Sequence, residues 1–338
     1  MAGTEASLRP FLEEGAGRPR ALWRLLIQYL AFDKVVLPLF FNLVVVAWLL
    51  ARPGPGLGPS GASFLPGSPA LPLVGSIAAL AATLLTVGLA GRFLDRRPFA
   101  DFGFHFGGGW WLDLLFGMAL GALLMTAVFL CELGLGWITV TGVFLSVVPG
   151  TPFALAILIP AAVYLCVGVY EELLARGYQL RNAAEGLNLP FVGSRNAVIL
   201  AWVLSSAFFG YLHANNPNAT LSSTFNVALA GLMLGFGYVL TGELAIPIGL
   251  HIAWNFFQGS VYGFPVSGLK PLGAVFLSTD QGGPALWTGG AFGPEGGLLG
   301  PAAMVLGCLL IALWMRLRSG RLSIHTPIAE GPKRDRRA

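Results

Sequence analysis

The chain has 338 residues, 55 % of them hydrophobic and only 11 % charged, with a formal net charge of +4. Soluble globular domains carry roughly 25 % charged residues, so this composition excludes that class. Its long uncharged stretches indicate a polytopic membrane protein whose standing partner is the lipid bilayer, with no room for a second soluble domain and no nucleic-acid partner expected.

In chain order, the opening MAGTEASLRPFLEEGAGRPRALWRLL is polar and of mixed charge. It lacks the basic start, short apolar core and small-residue cleavage site of a signal peptide. A short amphipathic surface helix is expected from Trp23 to Leu30. Apolar spans follow at about 35–51, 70–91, 110–131, 153–185, 196–214, 222–241, 243–260 and 297–316. Lengths near 20 residues suit a hydrocarbon core of about 30 Å. The fold class is therefore all-α, a helix bundle of about eight transmembrane helices around an intramembrane polar cavity. Residues 1–34 form a cytoplasmic N-terminal segment, 35–316 the membrane domain and 317–338 a basic cytoplasmic tail.

Between the first two spans runs RPGPGLGPSGASFLPGSP, whose prolines and glycines cannot continue a helix. GPSG within it resembles a serine-protease GxSG but sits in an outer loop. HExxH and GxGD are both missing from the sequence, which removes the one-helix zinc protease and the aspartyl arrangement. Trp110, Trp111 and Trp137 flank the third span and read as an interfacial aromatic belt. The loop 260–296 is glycine-rich and reads as a connector, with capping of the outer mouth or steering of substrates as the alternative roles. His105 and His325 read as solvated. Cys131, Cys166 and Cys308 show no paired spacing, which speaks against a disulfide framework and for small apolar fillers.

Orientation follows from lysine and arginine, which gather on the cytoplasmic side. The N-terminal segment, the loop 91–109, the stretch 176–195 and the tail from Arg316 hold all the basic residues except Arg52 and Lys270. Both termini are thus expected in the cytoplasm. Seventeen arginines against three lysines suggest a GC-rich genome, which points to a bacterial plasma membrane.

The polar residues inside the spans carry the functional signal. They are Glu171, Glu172 and Arg176 on span four, His213 ending span five, and His251 and Asn255 on span seven. An acid at mid-bilayer costs about 2.5–3.5 kcal/mol on insertion scales, so it persists where it has a partner or a task. Glu172 and Arg176 are four apart and can pair. Glu171 lies about 100° around the helix from Glu172, so the two acids do different jobs. Phe209 and His213, and likewise His251 and Asn255, share a helical face. Counting 1.5 Å per residue from the cytoplasmic ends puts Glu171 roughly 20 Å deep, His213 roughly 25 Å and His251 roughly 13 Å. Tilt would have to close those differences.

Such a set can hold a divalent metal that acidifies a bound water, with Glu171, His213 and His251 as ligands and zinc as the metal. Alternatively, a carboxylate assisted by a histidine acts as general base on water while His251 and Asn255 donate to an oxyanion. With Asn255 where a third strong ligand would stand, the metal-free route is preferred. Both lead to hydrolysis of a carbonyl compound, most simply a peptide bond.

EELLAR at 171–176, FGYLH at 209–213 and HIAWN at 251–255 fit EExxxR, FxxxH and HxxxN in order on successive spans. In this the chain resembles the CPBP family of intramembrane proteases, over roughly residues 90 to 316. That family includes the CAAX-processing endopeptidases, which trim three residues after a prenylated cysteine, and bacterial proteins of bacteriocin processing and immunity. The resemblance implies that Glu171 with His213 activates water, that His251 and Asn255 stabilise the oxyanion, and that Glu172, Arg176 and Phe209 support the site. Its members have been described both as metalloenzymes and as glutamate-type proteases, so zinc or no cofactor stays open. The implied partner is a membrane-associated protein or peptide. Two other functions use the same residues: a proton- or ion-coupled transporter, and a non-catalytic immunity or assembly partner.

Overall fold

Uncharged runs of Leu, Ala, Val and Gly dictate helices, because in hydrocarbon each backbone group must bond within its own segment. The computed structural model describes residues 11–13, 17–50, 70–148 and 150–332. Helix α1 (Ala21–Leu30) continues through a π-helical stretch, Ala31–Val36, into α2 (Leu37–Leu50). Then come α3 (Ala70–Ala90) and α4 (Gly108–Gly134). Helix α5 (Leu158–Glu172) passes through the π-helical stretch Leu173–Leu180 into α6 (Arg181–Leu187). The bundle is completed by α7 (Ser194–Leu212), α8 (Leu221–Thr241), α9 (Ala245–Phe256) and α10 (Leu299–Ser319).

Among the described residues, seven helices are long and apolar enough to cross a membrane. The chain is an integral membrane protein. The span expected at 243–260 is the one outside that set. It consists of α9 and a short π-helical end, Phe257–Val261. From Ala245 to Asn255 every residue except Ile252 is buried. A helix wrapped in protein on nearly all sides has no need of a lipid-facing length.

Glycines set how closely α9 is held. A methyl on Gly121 would stand 2.6 Å from the Leu250 carbonyl oxygen, and one on Gly117 would strike the Ile246 carbonyl oxygen. Gly117 and Gly121 form a small-xxx-small stripe that lets α4 and α9 meet backbone to backbone, where dispersion rather than the hydrophobic effect holds helices together.

One end of the bundle is closed by ion pairs. Arg24, fully buried, donates to Asp95 at 2.8 Å, Glu185 at 3.1 Å and Glu13 at 2.9 Å. Arg18 and Arg97 also pair with Glu185. Burial pushes the Arg97 guanidinium below its ordinary pKa, and the neighbouring Glu185 opposes that. The network ties α1, the end of α3 and α6 together. The stretch from Trp23 to Leu30 is helical as expected, but it runs unbroken into α2, with Arg24 and Gln28 buried.

Two details depart from the sequence reading. A two-stranded antiparallel ribbon joins β1 (Ile138–Ser146) to β2 (Ala274–Gln281), so the bundle is mostly rather than purely helical. Its cause is the β-branched run ITVT, which suits a pleated strand, directly after the left-handed Gly136 (φ 70°) that follows the end of α4. Of the three tryptophans read as a belt, Trp111 is exposed, whereas Trp110 is buried and donates to the Gly103 carbonyl at 2.9 Å. The proline-rich loop with GPSG and the KRDRR tail lie outside the described residues.

Candidate active site

The two glutamates close α5, directly before the helix widens into its π-helical stretch. Such widenings occur frequently at functional sites. Being adjacent, the two side chains leave the helix in different directions, and their surroundings differ accordingly. Glu172 is fully buried. Its Oε1 accepts from Arg176 Nη1 at 2.9 Å and stands 2.8 Å from His251 Nδ1. Arg176 also donates to the Gly231 carbonyl at 3.0 Å and lies over the Phe209 ring, 4.5 Å from its centroid. One carboxylate, one guanidinium and one aromatic face thus bind α5, α7, α8 and α9 at a single level.

Glu171 faces open space instead. It lines a cavity of about 970 Å³, walled mostly by apolar side chains, which also receives His213, His251 and Asn255. Glu171 Oε1 accepts from the Tyr170 hydroxyl at 3.2 Å. Its Oε2 has no hydrogen-bond partner and lies 4.0 Å from His251 Nε2. A buried carboxylate oxygen without a partner is costly unless something else occupies its lone pairs.

The imidazoles are oriented by their other nitrogens. His213 caps α7, with Nδ1 2.8 Å from the Phe209 carbonyl oxygen. A carbonyl only accepts, so Nδ1 carries a proton and Nε2 is the nitrogen left for the cavity. In His251 Nδ1 faces Glu172, which leaves Nε2 toward Glu171. Asn255, one turn along α9, is buried against the same cavity, and its amide meets no protein partner among the described residues.

All four residues expected to act on a substrate therefore meet in one cavity; of the three expected to support them, Phe209 is part of its wall and Glu172 and Arg176 pack behind it. The unequal depths counted along straight spans do not persist: His251 and Glu172 are in hydrogen-bond contact. The imidazole next to Glu171 is His251, and among the described residues no hydrogen bond or ion pair links Glu171 to His213.

Among the described residues no three His, Cys, Asp or Glu side chains are placed to hold a metal ion. Glu171, His213 and His251 share the cavity without converging on one point, so as placed they do not fit a zinc site.

The sequence reading missed Glu295. Buried on the loop before α10, it lines the cavity with both carboxylate oxygens engaged. Oε1 accepts from Trp254 Nε1 at 3.2 Å, and Oε2 accepts from the Ser267 amide at 2.7 Å and hydroxyl at 2.9 Å. The loop 260–296 is thus more than a connector: it forms a strand and supplies Ser267, Lys270 and Glu295 to the cavity wall. Its one sequence signal was a lone acid in a glycine-rich run.

Residues 152–257 match the family model described as type II CAAX prenyl endopeptidase Rce1-like. That is a protease family, and the matched segment holds the EExxxR, FxxxH and HxxxN residues, in line with the resemblance drawn from the sequence. No curated protein and no solved structure matches the chain.

Proposed function

We propose that the protein is an intramembrane endopeptidase that hydrolyses a peptide bond of a membrane-associated protein or peptide. The observation that carries the proposal is the unpartnered Glu171 Oε2, buried in a cavity beside His251 Nε2 and within a segment matched by a protease family. A water held there gives its proton to Glu171 as its oxygen attacks the substrate carbonyl. His213, whose Nδ1 is engaged by the Phe209 carbonyl, accepts a hydrogen bond from the same water at Nε2, and Glu171 then returns its proton to the leaving amine. The developing oxyanion is met by the Asn255 amide and by His251, which Glu172 holds at Nδ1. Arg176 neutralises Glu172, so that a second buried carboxylate does not oppose charge on Glu171.

Glu171→Gln tests the assignment. The amide keeps the shape of the side chain but cannot take a proton. New protein termini in membranes are compared between cells with wild-type protein and cells with the variant at equal expression. Termini present only with wild type are expected, and they name the substrate. Equal activity in both would remove Glu171 as general base.

A further inference from the structure

We infer that the cavity is served from the side of the membrane opposite the termini, so that its substrate is a peptide or protein segment exposed outside the cytoplasm. The inference rests on the peptidase reading for the word substrate, and on geometry and charge for the side.

The bundle has two unlike ends. At one, α3 runs into Arg92, Arg96 and Arg97, α7 starts beside Arg195, and α10 ends at Arg316 and Arg318. The Arg18, Arg24 and Arg97 ion pairs close this end. Basic residues near span ends mark the cytoplasmic side, and the rule counts Lys and Arg regardless of their acidic partners. None of residues 91–109, 188–195, 242–244 or 315–332 lines the Glu171 cavity.

The cavity wall comes mostly from the bundle's interior and its other end; toward the basic end it reaches Gln28, Tyr29 and Phe32, a turn or more beyond Arg24, and Gln179, but none of the paired arginines. It takes Leu71 and Pro72 at the start of α3, His213 and Asn216 past the end of α7, and the loop from Val266 to Gly273. Lys270, exposed, is the one basic residue among the lining side chains.

The ribbon fixes the level of this mouth. Residues 133–170 contain no Asp, Glu, Lys or Arg, and Val143, Phe144, Leu145 and Val147 are exposed there. The Val147 amide donates to the Gly273 carbonyl at 2.9 Å, and both residues line the cavity. A largely apolar ribbon, whose one charged side chain is Asp280 at the far end of β2, belongs at the bilayer boundary rather than in bulk water. The mouth therefore opens where the outward leaflet meets water. A cytoplasmic protein bearing a C-terminal prenyl group would face the closed, arginine-paired end.

The test is thiol accessibility in the full chain, in cells. With Cys131, Cys166 and Cys308 replaced by alanine, Lys270→Cys and Arg321→Cys are made singly, both at exposed positions outside the catalytic set. A membrane-impermeant maleimide is expected to label position 270 in intact cells and position 321 only after permeabilisation. Position 270 reacting only after permeabilisation, or both positions reacting from one side, overturns the inference. Should the cysteine-free chain fail to accumulate, a C-terminal green fluorescent protein fusion gives a second reading. Fluorescence places the tail in the cytoplasm, and a dark, full-length fusion overturns the inference. Neither measurement depends on catalysis, so a chain that proves not to be a peptidase still reports where its cavity opens.

Discussion

The two ends of the bundle use the same side chains to opposite effect. At the basic end, three arginines meet three carboxylates, and Glu185 alone takes up Arg18, Arg24 and Arg97. At the cavity Arg176 and His251 engage Oε1 of the fully buried Glu172, while Glu171 next to it keeps Oε2 free beside the cavity. Burial by itself is therefore no mark of function here, since Asp95 and Glu172 are equally inaccessible. What separates the regions is where the leftover lone pairs point. At the basic end they are enclosed by packed helices; at Glu171 they face a cavity large enough for a peptide segment.

Substitutions that exchange the two behaviours should separate most. Glu171→Gln removes a general base whose kind contributes about 10²–10⁴-fold to rate. Proteolysis should fall to background while abundance in the membrane holds or rises, because an isolated buried charge is gone. Unchanged turnover of an identified substrate would end the distinction drawn above. Next in size, Arg24→Ala and Arg176→Ala each leave buried carboxylates uncompensated, at a cost of about 3–5 kcal/mol. Both should lower the unfolding midpoint in detergent. Restoring neutrality divides them: Asp95→Asn added to Arg24→Ala should recover stability with activity, whereas Glu172→Gln added to Arg176→Ala should recover stability alone, because His251 stays without its Nδ1 anion. Equal recovery of activity in both pairs would mean that Glu172 does no more than Asp95.

Helix contacts come third. Gly121→Ala places a methyl 2.6 Å from the Leu250 carbonyl oxygen. Overpacking of this kind costs about 1–3 kcal/mol. Since α9 carries His251 and Asn255, the shift should appear as lost activity before lost abundance. The same change at Gly134, which meets nothing within 4 Å, should be silent in both assays.

Much of this architecture was legible because membrane spans and intramembrane acids are strong signals. Glu171, Glu172, Arg176, His213, His251 and Asn255 stand out once an apolar span is recognised, since each is costly there without a partner. Their spacing placed pairs on shared faces, and the Glu172–Arg176 contact formed as read. Depth was not legible. Counting from span ends assumes straight helices that start at a common plane, whereas the fourth span is a single helix with a π-helical stretch inside it and α9 starts only after the left-handed turn at Gly242 (φ 74°). The Gly117–Gly121 stripe was visible in GMALG but has meaning only once α9 is known to lie against it. Arginines counted as markers of sidedness proved also to be structural partners, which a count of charges does not register.

Glu295 offers the finest test of the comparison, because it combines features of both regions. Like Glu185 of the basic end it has both oxygens engaged, and like Glu171 it lines the cavity. Its three donors come from Trp254, next to Asn255 on α9, and from Ser267 on the wall loop. Glu295→Gln keeps the shape but turns one acceptor oxygen into a donor, so either the Trp254 bond or the Ser267 pair is lost, at about 1–3 kcal/mol if the freed donor stays buried. If Glu295 serves only to close the loop, the unfolding midpoint falls while KM and kcat stay put. If it positions Asn255 and the wall, KM for an identified substrate rises several-fold with little change in abundance, and Trp254→Phe reproduces the rise without altering any carboxylate. The second pattern is expected, since Trp254 and Asn255 are neighbours on a helix held by backbone contact with α4 and have little freedom to adjust.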